Sequence, residues 1–250
     1  MKRAILLAVF VLGVTGQNFA VAQHYLDFTS ADTTTFTVGQ VESFNVTLQP
    51  TQLYIDTFGV APILEASIPF PSPDGVFFTD NHDGTATLAG TPISAGNFGI
   101  VLRAFAPLPP PKGPQLLTQN FGLTVNQGQT NTTVSTDCPR TFTENEPFTY
   151  FANALAVGSG FAGGTMTYTQ NPGNTTLCSV GIPPGGGCAT TSLATTDSHT
   201  QDSYLLGASY SGNPNWQPSE GFPIGVTVLS AADVVFRNDV EEVLEGCPAQ

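Results

Sequence analysis

The stretch GVFFTDNHDGTATLAGTP, residues 75–92, decides the fold because it holds two strand-like runs joined by a turn. Residues 76–79 and 85–88 are rich in Val, Phe, Leu and Thr, most of which favour strands. Asp83-Gly84 lies between the runs and can supply the positive φ that a tight hairpin turn requires. Gly90-Thr91-Pro92 ends the second run. The stretch therefore predicts an antiparallel β-hairpin.

Outside this hairpin, hydrophobic residues alternate with polar ones in five further segments. A period of two is typical of strands that bury one face and leave the other in water. The only sign of a helix is a short one at residues 238–244, and proline-rich residues 107–114 predict an extended loop between two strands. The alternating positions are Phe44, Val46, Leu48; Phe121, Leu123, Val125; Phe148, Tyr150, Ala152; Tyr204, Leu206, Ala208, Tyr210; and Val226, Val228.

A polar stretch at residues 126–134 divides the chain. Each side then holds about 100 residues, the usual size of an immunoglobulin-like sandwich. We predict an all-β protein with two tandem immunoglobulin-like β-sandwich domains, residues 23–126 and 127–232, followed by a C-terminal tail at 233–250.

Residues 1–22 predict a cleavable secretory signal peptide. Lys2 and Arg3 precede the apolar residues 4–14, and Ala20-Val21-Ala22 forms a small-x-small cleavage site. An uncleaved anchor is the alternative, although this apolar run is too short to span a bilayer. The expected location is secreted or at the cell surface, with the periplasm as an alternative, and no membrane insertion is expected after cleavage.

The formal net charge of −13 restricts the partners. After the signal peptide only Arg103, Lys112, Arg140 and Arg237 carry positive charge. Nucleic-acid binding requires basic side chains that neutralise phosphates, and an anionic membrane surface makes a similar demand. The composition therefore argues against both kinds of partner.

Four cysteines in an exported chain indicate two disulfides, with three pairings open. Cys178 and Cys188 flank the turn-forming run PPGGG, residues 183–187, so we expect a hairpin that brings them together. Cys138 would then pair with Cys247 by elimination. Paired C-x-x-C spacing is missing, so the thiols do not indicate a metal site.

Three stretches of the first half, FTSADTTTFTVG (residues 28–39), residues 75–92 and QNFGLTV (residues 119–125), resemble the immunoglobulin-like domains of bacterial surface and secreted proteins. In the second half, GTMTY (residues 164–168) and ASYSGNPNWQPS (residues 208–219) resemble the immunoglobulin-like repeats of bacterial adhesins, with Asn213 where Asp is usual. Both resemblances imply stalks, spacers or adhesive modules, and neither implies catalytic residues.

The tail ADVVFRNDVE, residues 232–241, is similar to short C-terminal tags of secreted proteobacterial proteins. It indicates either a sorting signal or an edge strand with a disulfide-tethered end, and the second interpretation is the simpler.

The residue types that could act in catalysis lie at positions where an active site is not expected. The chain has no G-x-S-x-G motif, and its histidines, His24, His82 and His199, fall near the cleavage site or in polar turns. The acidic pairs Glu144–Glu146 and Glu241–Glu242 have the pattern of solvated surface charge rather than of a glycosidase site. We expect no catalytic residues, no cofactor and no enzyme activity.

Two further candidate binding sites have weaker support in the sequence. Asp80, Asn81 and Asp83 offer oxygen ligands for calcium, but such residues more often hydrogen-bond their own backbone in a turn. Tyr210 and Trp216 are candidate ligand contacts if exposed, whereas the favoured alternative is that both pack at the end of a sandwich.

These observations predict a non-enzymatic structural or adhesive protein that binds a protein or glycan surface. The alternative is a carbohydrate-binding accessory module of an exported system, which would depend on Trp216 as an exposed ring.

Overall fold

The computed structural model describes residues 26–49, 51–68, 72–107, 114–136, 140–145, 147–160, 163–182, 188–190, 193 and 201–230. Within these ranges, no helix is long and apolar enough to cross a membrane. The predicted signal peptide, the predicted tail, Cys138 and Cys247 lie outside the described residues, and so do residues 108–113 of the proline-rich loop.

The first sandwich contains eight strands in two four-stranded sheets. The strands are β1 (Asp27–Phe28), β2 (Thr33–Thr37), β3 (Glu42–Gln49), β4 (Ile63–Ser67), β5 (Val76–Asp80), β6 (Thr85–Gly90), β7 (Gly96–Ala106) and β8 (Gln115–Asn126), with helix α1 (Thr51–Phe58) between β3 and β4. The sheet orders are β1-β3-β6-β5 and β2-β8-β7-β4.

This order is that of an immunoglobulin-type sandwich whose first strand is divided between the two sheets. β1 pairs antiparallel with β3, the chain then crosses to the other sheet, and β2 pairs parallel with β8. The predicted hairpin is β5–β6, with Gly84 at φ 86° in its turn.

The second sandwich has the same plan. Its strands are β9 (Thr130–Thr136), β10 (Thr141–Thr143), β11 (Phe148–Ala156), β12 (Gly164–Asn171), β13 (Thr175–Ile182), β14 (Cys188–Thr190), β15 (Gln201–Tyr210), β16 (Ser219–Glu220) and β17 (Ile224–Leu229). One sheet has the order β14-β11-β9. The other has the order β10-β17-β15-β12-β13, with β16 paired to β15.

The period-two pattern is confirmed, because the alternating hydrophobic residues point between the sheets. Phe121, Leu123 and Val125 of β8 are buried, as are Tyr204 and Leu206 of β15. The predicted class, all-β with two tandem immunoglobulin-like sandwiches, is therefore the observed one.

Helix α1 was not predicted. It begins directly after Pro50 and is only eight residues long, too short for a clear helical period. Tyr54 and Phe58, one turn apart, pack with ring centroids 5.0 Å apart. Tyr54 is buried, and its hydroxyl donates a hydrogen bond to the Pro107 carbonyl over 3.2 Å. The helix therefore covers one end of the first core.

The disulfide Cys178–Cys188 is present, but the expected hairpin is wrong. Cys178 lies on β13, opposite Tyr168, whereas Cys188 lies on β14, opposite Tyr150 in the other sheet. The bond therefore joins the two sheets beside the packed rings of Tyr150 and Tyr168, whose centroids are 4.9 Å apart. The sequence separation of 10 suggested a turn, but the two cysteines lie on strands of different sheets.

The double substitution Cys178→Ala and Cys188→Ala is expected to lower the free energy of unfolding of the second sandwich. A loop this short limits the loss to roughly 3 kcal/mol in the chain-entropy model. Urea unfolding measures it, and adding reductant to the unsubstituted protein should give a similar loss. Equal midpoints for the oxidised and reduced proteins would contradict this expectation.

Buried tyrosines dominate the second core. Desolvation raises the pKa of Tyr150, and the neighbouring Tyr168 phenol raises it further. Burial also raises the pKa of Tyr168, Tyr204 and Tyr210, although a hydrogen bond from the Ala152 N–H partly offsets the effect at Tyr168. In the first sandwich, burial raises the pKa of Tyr54.

Alkaline pH is therefore expected to unfold the second sandwich before the first. Each phenol whose pKa is raised in the folded state stabilises the native protein. This stabilisation is fully present below the unfolded phenol pKa of about 10 and is lost as the pH rises through the folded-state pKa. Tyrosinate absorbance and circular dichroism, followed together as the pH rises, would measure this alkaline unfolding. Tyr150→Phe should make the stability of the second sandwich less dependent on alkaline pH. An unchanged dependence would argue against a role for the buried tyrosines in alkaline unfolding.

Candidate functional site at the domain junction

The loop at residues 211–218, between β15 and β16, carries Trp216 to the junction of the two sandwiches. Trp216 is the only tryptophan in the chain and is 3% exposed. It forms an isolated bridge with Gly128, in the link between β8 and β9. Its ring therefore packs where the chain passes from one sandwich to the other.

The amide of Asn213 shapes this loop. Its Oδ1 accepts hydrogen bonds from the N–H groups of Asn215 (2.8 Å) and Trp216 (2.9 Å), while its Nδ2 donates to the Gly163 carbonyl. An aspartate could accept the first two bonds but could not donate the third. Asn213 therefore acts through an amide group that both accepts and donates hydrogen bonds, and no charge is required at this position.

Glycines surround the Trp216 ring and allow its close approach. A Cβ at Gly128 would lie 2.4 Å from the ring carbon Cζ3, and one at Gly39 would lie 2.9 Å from Cη2. Gly39 belongs to the first sandwich, and its φ of 80° is one that other residues rarely adopt. Gly160, from the second sandwich, borders the ring at Cζ2.

Hydrogen bonds join the two sandwiches around the ring. The Ser159 N–H donates to the Gly39 carbonyl (2.8 Å), and Gln40 Nε2 donates to the Val157 carbonyl (2.7 Å). Asn215 Oδ1 accepts from the Ala95 N–H (2.9 Å), and its carbonyl accepts from the Gly128 N–H (2.9 Å). A buried aromatic ring and directional bonds therefore fix the junction.

The hypothesis that Tyr210 and Trp216 are exposed ligand contacts is wrong, since Tyr210 is 1% and Trp216 3% exposed. The Tyr210 hydroxyl donates to the Gly163 carbonyl at the end of the second core. Both rings pack at the end of the sandwich, as the favoured alternative proposed. The Trp216 ring packs against glycines of both sandwiches and of the link between them.

The candidate calcium ligands lie together in the β5–β6 turn, where backbone groups already use them. Asp80 Oδ1 accepts the His82 N–H (3.0 Å), and Asp83 Oδ1 accepts the Thr85 N–H (2.9 Å). The Thr85 hydroxyl and N–H together lower the pKa of Asp83, and Asn81 donates to the Thr85 hydroxyl. In the described part of the chain, no group of three His, Cys, Asp or Glu residues could hold a metal ion.

Of the remaining titratable candidates the structure describes His82 and Glu144, which lie in different sandwiches. His82 is exposed, and its Nδ1 lies 3.3 Å from Asp80 Oδ2. Glu144 follows β10, and its N–H donates to the Leu229 carbonyl. His24, His199, Glu146, Glu241 and Glu242 lie outside the described residues.

The glycines of the junction were missed by sequence reasoning. Gly128 lies in the polar link QGQ, residues 127–129, which is also the composition of a flexible linker. Only its bridge to Trp216, 88 residues later, distinguishes a close-packing position from a flexible one.

No family model and no curated protein matches this chain. Among solved structures, Rst D1-D2 is 11% identical over 83% of this chain and 100% of that one, with a TM-score of 0.34. The ICAM-5 D1-D4 ectodomain fragment is 14% identical over 82% and 50%, with a TM-score of 0.35. The fibronectin(III)-like modules of Clostridium thermocellum CbhA are 11% identical over 90% and 99%, with a TM-score of 0.30. These structures are tandem immunoglobulin-type or fibronectin-type domains, and likeness at this level says nothing about function.

Gly128→Ala is expected to destabilise the junction, because the added methyl group meets the Trp216 ring and the Val38 carbonyl. Overpacking of this kind costs about 1–3 kcal/mol. Urea unfolding and the fluorescence of the single tryptophan, which should shift to the red, measure the effect. The matched control is Gly99→Ala, where a Cβ meets nothing within 4 Å. Equal midpoints for the two variants would show that the ring does not need this glycine.

Proposed function

We propose that this chain is a non-enzymatic extracellular protein with a structural or adhesive role. Its two immunoglobulin-like sandwiches would be held in a fixed relation and would present their surfaces to a protein partner. The observation that carries the proposal is the junction at Trp216.

A fixed junction supports a binding role that depends on geometry. Domains joined by a polar link move relative to one another unless a substantial interface holds them. Here the buried Trp216 ring and the bonds made by Gln40, Ser159 and Asn215 hold the link. Holding two modules in register is useful to a spacer or an adhesive protein, because it presents two surfaces to one partner without the entropic cost of ordering them.

The expected location has support from the chemistry of the chain. The Cys178–Cys188 disulfide is of the kind that persists in oxidising compartments. The predicted signal peptide and the acidic composition agree with export. These features support the proposal that the protein acts outside the cytoplasm, secreted or at the cell surface, with the periplasm as the alternative.

A protein partner is favoured over a carbohydrate. The carbohydrate-binding alternative depended on Trp216 and Tyr210 as exposed rings, and both are buried. Exposed hydrophobic side chains, including Phe77 (70% exposed) and Phe222 (92% exposed), are available for contact with a protein surface.

The fixed junction can be tested by residual dipolar couplings measured on each sandwich. One alignment tensor should fit both sandwiches of the unsubstituted protein. The double variant Gln40→Ala and Asn215→Ala removes only side-chain bonds across the junction, so it should fold normally but require two different tensors. If the unsubstituted protein already needs two, the proposed fixed arrangement is incorrect.

The binding role can be tested by exposing the purified chain from Gln23 onward to arrays of surface proteins and glycans. We expect saturable binding to a protein and recovery of the bound molecule with its mass unchanged. Conversion of any arrayed molecule would contradict the non-enzymatic role, and binding to glycans alone would restore the carbohydrate alternative.

A further inference from the structure

Strand β8 has one paired edge and one that is only half paired. Along its whole length β8 pairs with β7, but on the other side only Gly122–Asn126 pair with β2. In the described part of the chain, no strand pairs with the half Gln115–Asn120 on that side. We call this half the open edge.

Backbone groups of three residues point outward from the open edge. The Gly122 N–H donates to the Asp32 carbonyl, and the Asn126 carbonyl accepts from the Val38 N–H, so the even-numbered residues of β8 face the β2 side. The register with β7 is unbroken, so Leu116, Thr118 and Asn120 face the same way. Their N–H and C=O groups meet no described strand.

The open edge borders a cleft of about 490 Å³ between the two sheets. The cleft arises because β1 pairs with β3 instead of β8, and the chain crosses to the β8 sheet only afterwards. Asp27 and Phe28 line one side, and Gln115–Gln119 line the other. The cleft together with the open edge is called the seam.

Three buried side-chain oxygens have no hydrogen-bond partner: Ser30 Oγ, Gln115 Oε1 and Gln119 Oε1. Within the described ranges these are the only buried side-chain polar atoms left unpaired. Two of them, Gln115 and Gln119, line the cleft, whereas Ser30 lies in the crossover between β1 and β2. An unpaired buried polar group costs about 1–3 kcal/mol, so two on the same strand of the cleft indicate a missing hydrogen-bonding partner.

The outer face beside the open edge is apolar. Ile63, Phe105 and Leu116 lie side by side on β4, β7 and β8, and their exposures are 48%, 40% and 63%. Glu65, Arg103 and Thr118 form the neighbouring polar row. A strand added beside β8 would therefore extend the apolar row with its own outward side chains.

We propose that the seam binds an extended polypeptide segment of a partner protein, which adds a strand beside Gln115–Asn120. Its backbone would pair with Leu116, Thr118 and Asn120. Its inward side chains would be hydrogen-bond donors, Ser, Thr, Asn or Gln, toward which the side chains of Gln115 and Gln119 would turn their oxygens. Its outward side chains would be apolar and would pack beside Leu116. This assignment rests on the proposed binding role and specifies the partner.

A single extended chain fits the seam better than a second copy of the protein does. Asp27 and Phe28 of β1 line the cleft opposite Gln115–Gln119, so a segment added beside β8 would also face β1, an arrangement that suits one extended chain better than the edge of a folded sheet. Strand addition also supplies the backbone groups that an open edge lacks, and alternate side chains then give specificity. The open edge carries no proline and no charged residue, which are common means of blocking such pairing.

The test is selection of random linear peptides displayed on phage against the folded protein, with Thr118→Pro as the counter-target. This proline removes an N–H that no described strand accepts and places its ring in the path of the added strand, a position where edge strands tolerate proline. Thr118→Val is the matched control, because it keeps the N–H and the shape.

Selected peptides should alternate apolar residues with Ser, Thr, Asn or Gln. They should bind the unsubstituted protein and Thr118→Val equally, and Thr118→Pro at least about tenfold more weakly. Binding should also slow hydrogen exchange at the amides of Leu116, Thr118 and Asn120. If Thr118→Pro fails to fold, selected peptides methylated on alternate backbone nitrogens serve instead, and only one of the two methylation patterns should abolish binding.

Five results would overturn the proposal. One is that no selected peptide distinguishes Thr118→Pro or either methylation pattern. Another is slow exchange at the three amides in the protein alone, since the chain itself would then cover the edge. The third is a dimer that Thr118→Pro dissociates, and the fourth is displacement of the peptides by an oligosaccharide. The fifth is a protein partner found on the arrays that binds Thr118→Pro normally, which would leave the proposed function intact while removing the seam as its site.

Discussion

The burial of the Trp216 ring between the two sandwiches is the interaction on which the arrangement of the molecule depends. The strands of each sandwich pair with one another inside that sandwich, but a link of three residues between β8 and β9 cannot hold two domains in place. The ring gives the junction a small apolar core, and the surrounding backbone bonds give it direction. Removing apolar surface from water supplies the free energy, and the bonds select one geometry.

The loop that carries the ring shows how a polar sequence can build a buried site. Asn213 holds the loop in shape by accepting two N–H groups and donating to the Gly163 carbonyl. Gly39 and Gly128 then admit the ring edge where any side chain would collide with it. The junction thus depends on residues that are small or polar, and hydrophobicity alone would not mark them.

The same division of the first strand that defines the sandwich also creates its unfilled seam. Because β1 pairs with one sheet and β2 with the other, no described strand pairs with half of β8 on the β2 side. The side-chain oxygens of Gln115 and Gln119, which line the cleft there, have no hydrogen-bond partner among the described residues. The junction and the seam therefore have complementary roles in the proposed function. One fixes the relation of the two modules, and the other offers a surface on which a partner chain can be held.

The sequence by itself determined the strands and the class of fold. Alternation with a period of two is a local pattern, and the Asp83-Gly84 turn is shorter still, so both could be predicted without knowing what the strands contact. The closeness of Cys178 and Cys188 along the chain likewise indicated their bond. The tertiary structure alone decided that this bond joins two sheets, that Trp216 is buried between the two domains, and that no described strand pairs with part of β8 on one side. Each of these depends on which distant segments meet, and alternation is the same whether a strand lies inside a sheet or at its edge.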